Sequence, residues 1–141
     1  MNILFFLTPK SEVAYIYEDY TMRQTLEKME YHRYSSIPII NKEGKYVGTL
    51  TEGDLLWTLK NDFSLDMKSI EDTPIMSIKR HKDNAPVSVE ANIEDLISKS
   101  MNQNFVPVID DNETFIGIIK RRDIIDYCYH KMNIQEDSQT K

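Results

Sequence analysis

Cysteine is nearly absent from this chain: Cys128 is the only one in 141 residues. A single thiol excludes an intramolecular disulfide framework and suits a reducing compartment. An excess of positive charge is missing too. The formal net charge of −6 argues against broad, sequence-independent nucleic-acid binding, which needs a basic footprint. No apolar run approaches the ~20 residues of a membrane helix, so no membrane partner is expected. The apolar opening from Ile3 to Leu7 has no basic flank beyond the amino terminus and no small-residue cleavage site. It is also too short for a signal-peptide core, so it reads as a short buried strand and the protein as cytoplasmic. His32, His81 and His130 are scattered without zinc-ligand spacing, and neither a metal nor a cofactor is called for. There is no Gly-x-Ser-x-Gly elbow, no P-loop and no His-Glu-x-x-His. No nucleophile stands with its base, so catalysis is not expected.

What the chain does have is a repeat. The stretch from Ser36 (Ser-Ile-Pro-Ile-Ile-Asn) through Val47-Gly-Thr-Leu-Thr-Glu-Gly-Asp54 returns as Phe105-Val-Pro-Val-Ile-Asp through Ile116-Gly-Ile-Ile-Lys-Arg-Arg-Asp123. The offset is a constant 69 residues, pairing Pro38 with Pro107, Gly48 with Gly117 and Asp54 with Asp123. Apolar positions exchange conservatively, as in Ile37/Val106, Tyr46/Phe115 and Leu50/Ile119. Two copies in an ordinary globular composition (40% hydrophobic, 28% charged) predict a pseudo-symmetric pair rather than a solenoid.

Each copy reads as β-α-β-β-α. In copy one, Val13 to Tyr17 has strand composition, and Thr21-Met-Arg-Gln24 forms a capping box that satisfies free N–H groups at a helix start. Met22, Leu26 and Met29 follow at helical spacing. Strands Ile37 to Ile40 and Tyr46 to Leu50 flank a turn in which Gly44 is free to take positive φ. Thr51 opens a second helix carrying Leu55, Leu56 and Leu59. Copy two has a strand at Pro86 to Val89, then a helix opened by Asn92 with Ile93, Leu96, Ile97 and Met101 inward. Strands Val106 to Ile109 and Phe115 to Ile119 follow, and a last helix runs from Lys120. One copy alone would leave a sheet face uncovered; packing two together closes the core. The fold class is therefore mixed α/β (α+β), with residues 8–65 and 66–133 as the two motifs. The second range includes a connector, 66–84, and 134–141 is a polar, flexible tail. Lys79-Arg-His-Lys82 in the connector is either a solvated loop or a phosphate-facing patch.

Two β-α-β-β-α copies, each with an apolar-Pro-apolar-apolar-Asn/Asp strand and a Gly-x-x-x-x-x-Asp turn into a helix, resemble a tandem pair of CBS domains, or Bateman module. The resemblance covers residues 8–130. It implies a regulatory module that binds an adenosine-containing ligand (AMP, ADP, ATP, S-adenosylmethionine, NAD or cyclic di-AMP) in clefts between the copies, and that dimerises into a flat disc. No effector domain is visible, so either a separate, unknown effector protein is the expected receiver or the chain acts as a free-standing sensor. The alternative is a ligand-independent interaction and dimerisation module; Trp57, Tyr127 and Tyr129 are either a dimer face or core and partly exposed aromatics.

The motif has a physical logic of its own. An Asp carboxylate accepts two hydrogen bonds from vicinal hydroxyls, so Asp54 and Asp123 suit a ribose. Thr51 adds a hydroxyl at a helix start, where free N–H groups favour phosphate. Ile37 and Pro38, with Phe105, Val106 and Pro107 in copy two, offer apolar walls for adenine. The backbone near Ser36 and near Ala14-Tyr15 can read its edge, as the resemblance implies. The competing reading of Thr51 and Asp54 is plain helix capping, and the two roles are compatible. Copy two replaces Thr51 with Lys120, a poor cap whose charge opposes the helix dipole. A bound anion would offset that cost, so Lys120, Arg121 and Arg122 are candidates for phosphate. The two clefts are not expected to be equivalent.

Overall fold

The computed structural model describes residues 2–139, with side chains placed through residue 134. Seven strands and four α-helices occur in it: β1 Thr8–Pro9, β2 Ile16–Tyr17, α1 Met22–His32, β3 Ser36–Ile40, β4 Tyr46–Thr51, α2 Glu52–Phe63, β5 Val87–Ser88, α3 Ile93–Ser100, β6 Phe105–Ile109, β7 Phe115–Lys120 and α4 Arg121–Gln139. They form two sheets, in the orders β2-β3-β4 and β1-β7-β6-β5. In each, a short leading strand pairs parallel with the proline-bearing strand, which pairs antiparallel with the next.

Local signals account for the helix starts. Thr21 caps α1 with Gln24 closing the box, Thr51 caps α2 with Asp54, and Asn92 caps α3 with Asp95. Gly44 takes φ +81° in the first hairpin; its counterpart in the second is Glu113 at φ +65°.

Several expectations are corrected. Residues 3–7 are not a strand: Ile3–Phe6 is a 3-10 turn that buries only Ile3. The leading strands shrink to two residues each, β2 and β5, and a 3-10 turn (Lys10–Glu12) precedes β2. Lys120 ends β7 instead of starting α4. Ile97 and Met101 are not inward, at 39% and 78% exposure: the buried face of α3 runs through Ile93, Leu96 and Ser100, Ile97 sits one position off it, and Met101 lies past the last turn. Leu56 likewise faces outward, while Leu55 is buried. The backbone of α4 continues to Gln139, into the stretch expected to be a free tail; the tail's side chains beyond Ile134 lie outside the described residues.

The cores reveal an exchange that the repeat alone does not show. Copy one's cluster (Ile16, Met22, Ile37, Ile39 and Leu50 among others) also contains Ile70, Ile75 and Ile78 of the connector. Backbone bonds hold that segment in place, with Met22 N–H donating to Thr73 O (2.7 Å) and Ile75 N–H to Tyr20 O (2.8 Å). Copy two's cluster takes in Ile3, with Phe6 and Leu7 against it, and β1 adds to the edge of β7. The segment leading into each copy thus packs on the other copy, and the division at residue 65 does not coincide with a division between cores. Each buried Ile contributes roughly 1.5–3 kcal/mol. Val13, Ile40 and Phe115 form a third cluster where the halves meet, with Tyr46 stacked on Phe115. The Phe115 N–H also donates to Gly44 O across that joint (2.8 Å).

Candidate functional site

The site begins with a missing donor. In copy one the parallel ladder pairs Tyr17 with Ile40, and Glu18 N–H donates to Ile40 O (3.0 Å). By the two-residue period of such a ladder, the donor for the Ala14 carbonyl would be residue 38, a proline without an N–H. Pairing stops there. The N–H and C=O of Ala14 make no hydrogen bond to any described residue. Copy two repeats the situation, with Pro107 opposite Ala85.

Around Ala14 lies an open cleft of about 260 Å³ between the copies. Ala14, Ser36 and Pro38 line it from copy one, and Phe105, Ile118 and Lys120 from copy two. Arg33, held in left-handed conformation (φ 58°) at the end of α1, and Tyr34 complete the rim. Apolar walls, an unpaired backbone edge and two cations at the mouth suit a flat, hydrogen-bonding, anionic ligand. The amide of Asn104 donates to Ser36 Oγ (2.7 Å) and joins the copies where both residues line the cleft.

The Thr51–Asp54 side is arranged differently, because the connector fills it. Asp54 is 5% exposed and its carboxylate is already engaged. One oxygen accepts the Thr51 N–H (3.0 Å) and the other the His81 N–H (2.9 Å). Next to it, Asp83 accepts from Thr49 N–H (2.9 Å) and from Arg80 Nε (2.8 Å) and Nη2 (3.1 Å). Burial alone would raise the Asp83 carboxyl, but the hydrogen bonds from Arg80 and Thr49 outweigh it and hold the group below its ordinary value. The Tyr46 hydroxyl donates to Asn84 O (2.8 Å), and burial pushes that phenol above its usual range. Gly48 makes this possible, since a Cβ there would lie 2.5 Å from Asp83 Oδ1. Its counterpart Gly117 does the same for β1, whose Thr8 carbonyl would collide with a side chain. In Lys79–Lys82, then, Arg80 is committed to an ion pair and His81 to a backbone clamp. A polar depression of about 330 Å³ remains between Thr51, His81, Asn84 and Arg121.

The expected site residues are therefore divided. Ala14, Ser36, Pro38, Phe105 and Lys120 meet in one cleft. Thr51, Ser36 and Arg121 meet in the other depression, with Arg121 Nε donating to Gln103 O (2.9 Å). Ile37 and Val106 are corrected as wall residues: both are fully buried, because alternate residues of a strand point to opposite faces and theirs point into the cores. Pro107 is buried, and Tyr15 packs edge-on against Tyr17 and Phe115 at the joint between copies. Arg122 is exposed and lines neither cleft. Asp123 is part-exposed at the first turn of α4, its carboxylate makes no hydrogen bond to a described residue, and it faces a depression shared with Thr8 and Tyr127. Among the described residues no cluster of three His, Cys, Asp or Glu side chains could hold a metal.

Sequence reading missed Arg33, Tyr34, Asp83 and Gln103. Gln103 is 5% exposed, and its carboxamide accepts from Ala85 N–H (2.8 Å) and donates to Ala85 O (3.1 Å) and Phe105 O (3.3 Å). The signal was present in the repeat: at the 69-residue offset, Gln103 answers to Tyr34, a change of chemistry just before the matched strands.

Comparison with known proteins agrees with this architecture. An uncharacterized protein of Methanocaldococcus jannaschii, MJ1426, is 22% identical over 139 positions, covering 79% of this chain and 83% of its own length. Among solved structures, CbpB in complex with c-di-AMP is 24% identical with a TM-score of 0.82, covering 98% of this chain and 91% of that one. CBSX2 in complex with AMP is 18% identical with a TM-score of 0.71, covering 93% and 98%. Both share the fold. The CBS domain pattern matches twice, over residues 6–61 and 75–130, one match for each copy of the repeat. The chain belongs to the CBS-domain family.

Proposed function

We propose that the chain is a regulatory module that binds an adenosine-containing nucleotide in the cleft between its two CBS copies. The observation that carries this reading is the unpaired N–H and C=O of Ala14, set in an apolar slot with Arg33 and Lys120 at its mouth. A backbone edge reads a base by one donor and one acceptor, Pro38 and Phe105 flank the base, and the cations meet phosphate. Asp123, three residues beyond Lys120 and with its carboxylate unengaged by any described residue, supplies the ribose acceptor from the neighbouring depression that it shares with Thr8, the strand partner of the slot residue Ile118. The fold is shared with CbpB, solved with c-di-AMP, and CBSX2, solved with AMP, and both ligands carry the same adenosine unit. Binding across the copies favours one arrangement of the halves, and the ligand's differential affinity sets how far the equilibrium moves. The outward Leu56 and Trp57 on α2 and Ile125 and Tyr129 on α4 give each copy a like apolar patch, which fits pairing of two modules and output to a separate effector. The half-buried Cys128 suits a reducing setting such as the cytoplasm.

Thermal unfolding with AMP, ADP, ATP, cyclic di-AMP, S-adenosylmethionine and NAD tests the reading. A true ligand at a hundred times its Kd stabilises by about 2.7 kcal/mol, a shift of several degrees in Tm. No shift with any of the six would sink the nucleotide reading and leave the ligand-independent interaction module in its place.

A further inference from the structure

We propose that Gln103 fills the base-reading edge of the second half-site from within the chain, so that each module takes one adenine nucleotide, at Ala14, and not two. The inference rests on the adenine reading above and deepens it.

A primary carboxamide presents an acceptor and a donor side by side, as does the edge of adenine that carries its amino group. Gln103 directs that pair at the backbone of one residue: Oε1 takes the Ala85 N–H at 2.8 Å, and Nε2 gives to the Ala85 carbonyl at 3.1 Å. Ala85 is the residue that Pro107 leaves without a ladder partner, as Pro38 leaves Ala14. The carboxamide is thus bound as a base would be. It is also buried, so a nucleotide that displaced it would strand its donor and acceptor away from water.

Copy one holds no such surrogate. The bond from Arg121 N–H to Asn104 O (3.1 Å) repeats the bond from Glu52 N–H to Ser35 O (2.9 Å), so the chain is in register just after residues 103 and 34. At that place copy one carries Tyr34, whose phenol cannot offer a paired donor and acceptor of this shape, and which lines the open cleft. The acidic groups follow the same division. Asp54, on the self-filled side, is tied to Thr51 and His81, while the carboxylate of Asp123, on the copy that supplies Lys120, makes no hydrogen bond to a described residue.

Calorimetric titration of the full chain with AMP tests the proposal. The expected result is one AMP per chain for the wild type and a second, weaker site in Gln103→Ala. Two equal sites in the wild type, or one site in both proteins, would overturn the surrogate role while leaving the nucleotide reading intact. No AMP binding by either protein would overturn the one-AMP proposal, whereas the nucleotide reading falls only if none of the six ligands shifts unfolding. Should Gln103→Ala fail to fold, Tyr34→Gln at the exposed rim makes the reciprocal test. Installing the carboxamide in copy one is expected to weaken AMP binding at least tenfold, with Tyr34→Ala losing less. Unchanged affinity in Tyr34→Gln would overturn the proposal.

Discussion

In copy one the backbone of Ala14 is left open where Pro38 ends the ladder; in copy two the same backbone at Ala85 is occupied by Gln103. In copy one the acidic residue of the turn, Asp54, is buried under the connector; in copy two Asp123 stands free. The repeat therefore preserves the frame of a binding site twice while its polar groups are spent differently. A duplicated backbone produces duplicated hydrogen-bonding vacancies, because proline removes the same donor in each copy. What becomes of each vacancy depends on which side chain reaches it first.

The largest effect expected from this comparison concerns the exchanged leading segments. Ile75→Ala, in what the sequence presents as a connector, is expected to destabilise the fold by about 2–5 kcal/mol in urea unfolding, as for a core isoleucine. A loss under about 1 kcal/mol would mean that the connector does not belong to copy one's core. Next come the paired aspartates. Asp54→Ala removes a carboxylate that satisfies two backbone N–H groups and is expected to cost about 2–3 kcal/mol of stability, with AMP affinity little changed. Asp123→Ala should do the reverse, leaving stability within about 0.5 kcal/mol and weakening AMP roughly tenfold, equivalent to about 1.4 kcal/mol. Equal binding losses in both variants would erase the distinction between the copies.

The smallest effect is a pH dependence. Asp83 has its carboxyl held below the ordinary value, so its contribution to stability is present above the unfolded pKa, about 3.9, and is lost as pH falls through the folded one. The stability gap between wild type and Asp83→Asn should be constant from pH 7 to 5 and close below about pH 4. Because the group is part-exposed, that gap should stay under about 1 kcal/mol. A gap that widens in acid would contradict the Arg80–Asp83 pairing.

Much of the fold was legible because its signals are local. Thr21, Thr51 and Asn92 cap helices within three residues of themselves, and the short continuous apolar runs in Ser36–Ile40 and Phe105–Ile109 mark buried strands without reference to distant residues. Inward positions were read less well at the ends of elements. Met101 continues the apolar spacing of α3 but falls beyond its last turn, and the motif alone makes Ile37 and Val106 look like cleft walls although the pleat turns them to the core. The cleft itself was only half legible. Lys120 stood out because a lysine at a cap position conflicts with the helix dipole, whereas Arg33 and Tyr34 carry no such conflict in the sequence.

By itself, then, the sequence determined the doubled β-α-β-β-α frame, its register and the two proline-made gaps in pairing. Each of these follows from residue type and spacing along a few positions. Only the tertiary structure decided which leading segment covers which half, that the connector clamps Asp54, and that Gln103 rather than a free edge meets Ala85. These rest on contacts between residues 18 or more positions apart. Local pattern specifies where a backbone group is left unpaired; only packing specifies what comes to pair with it.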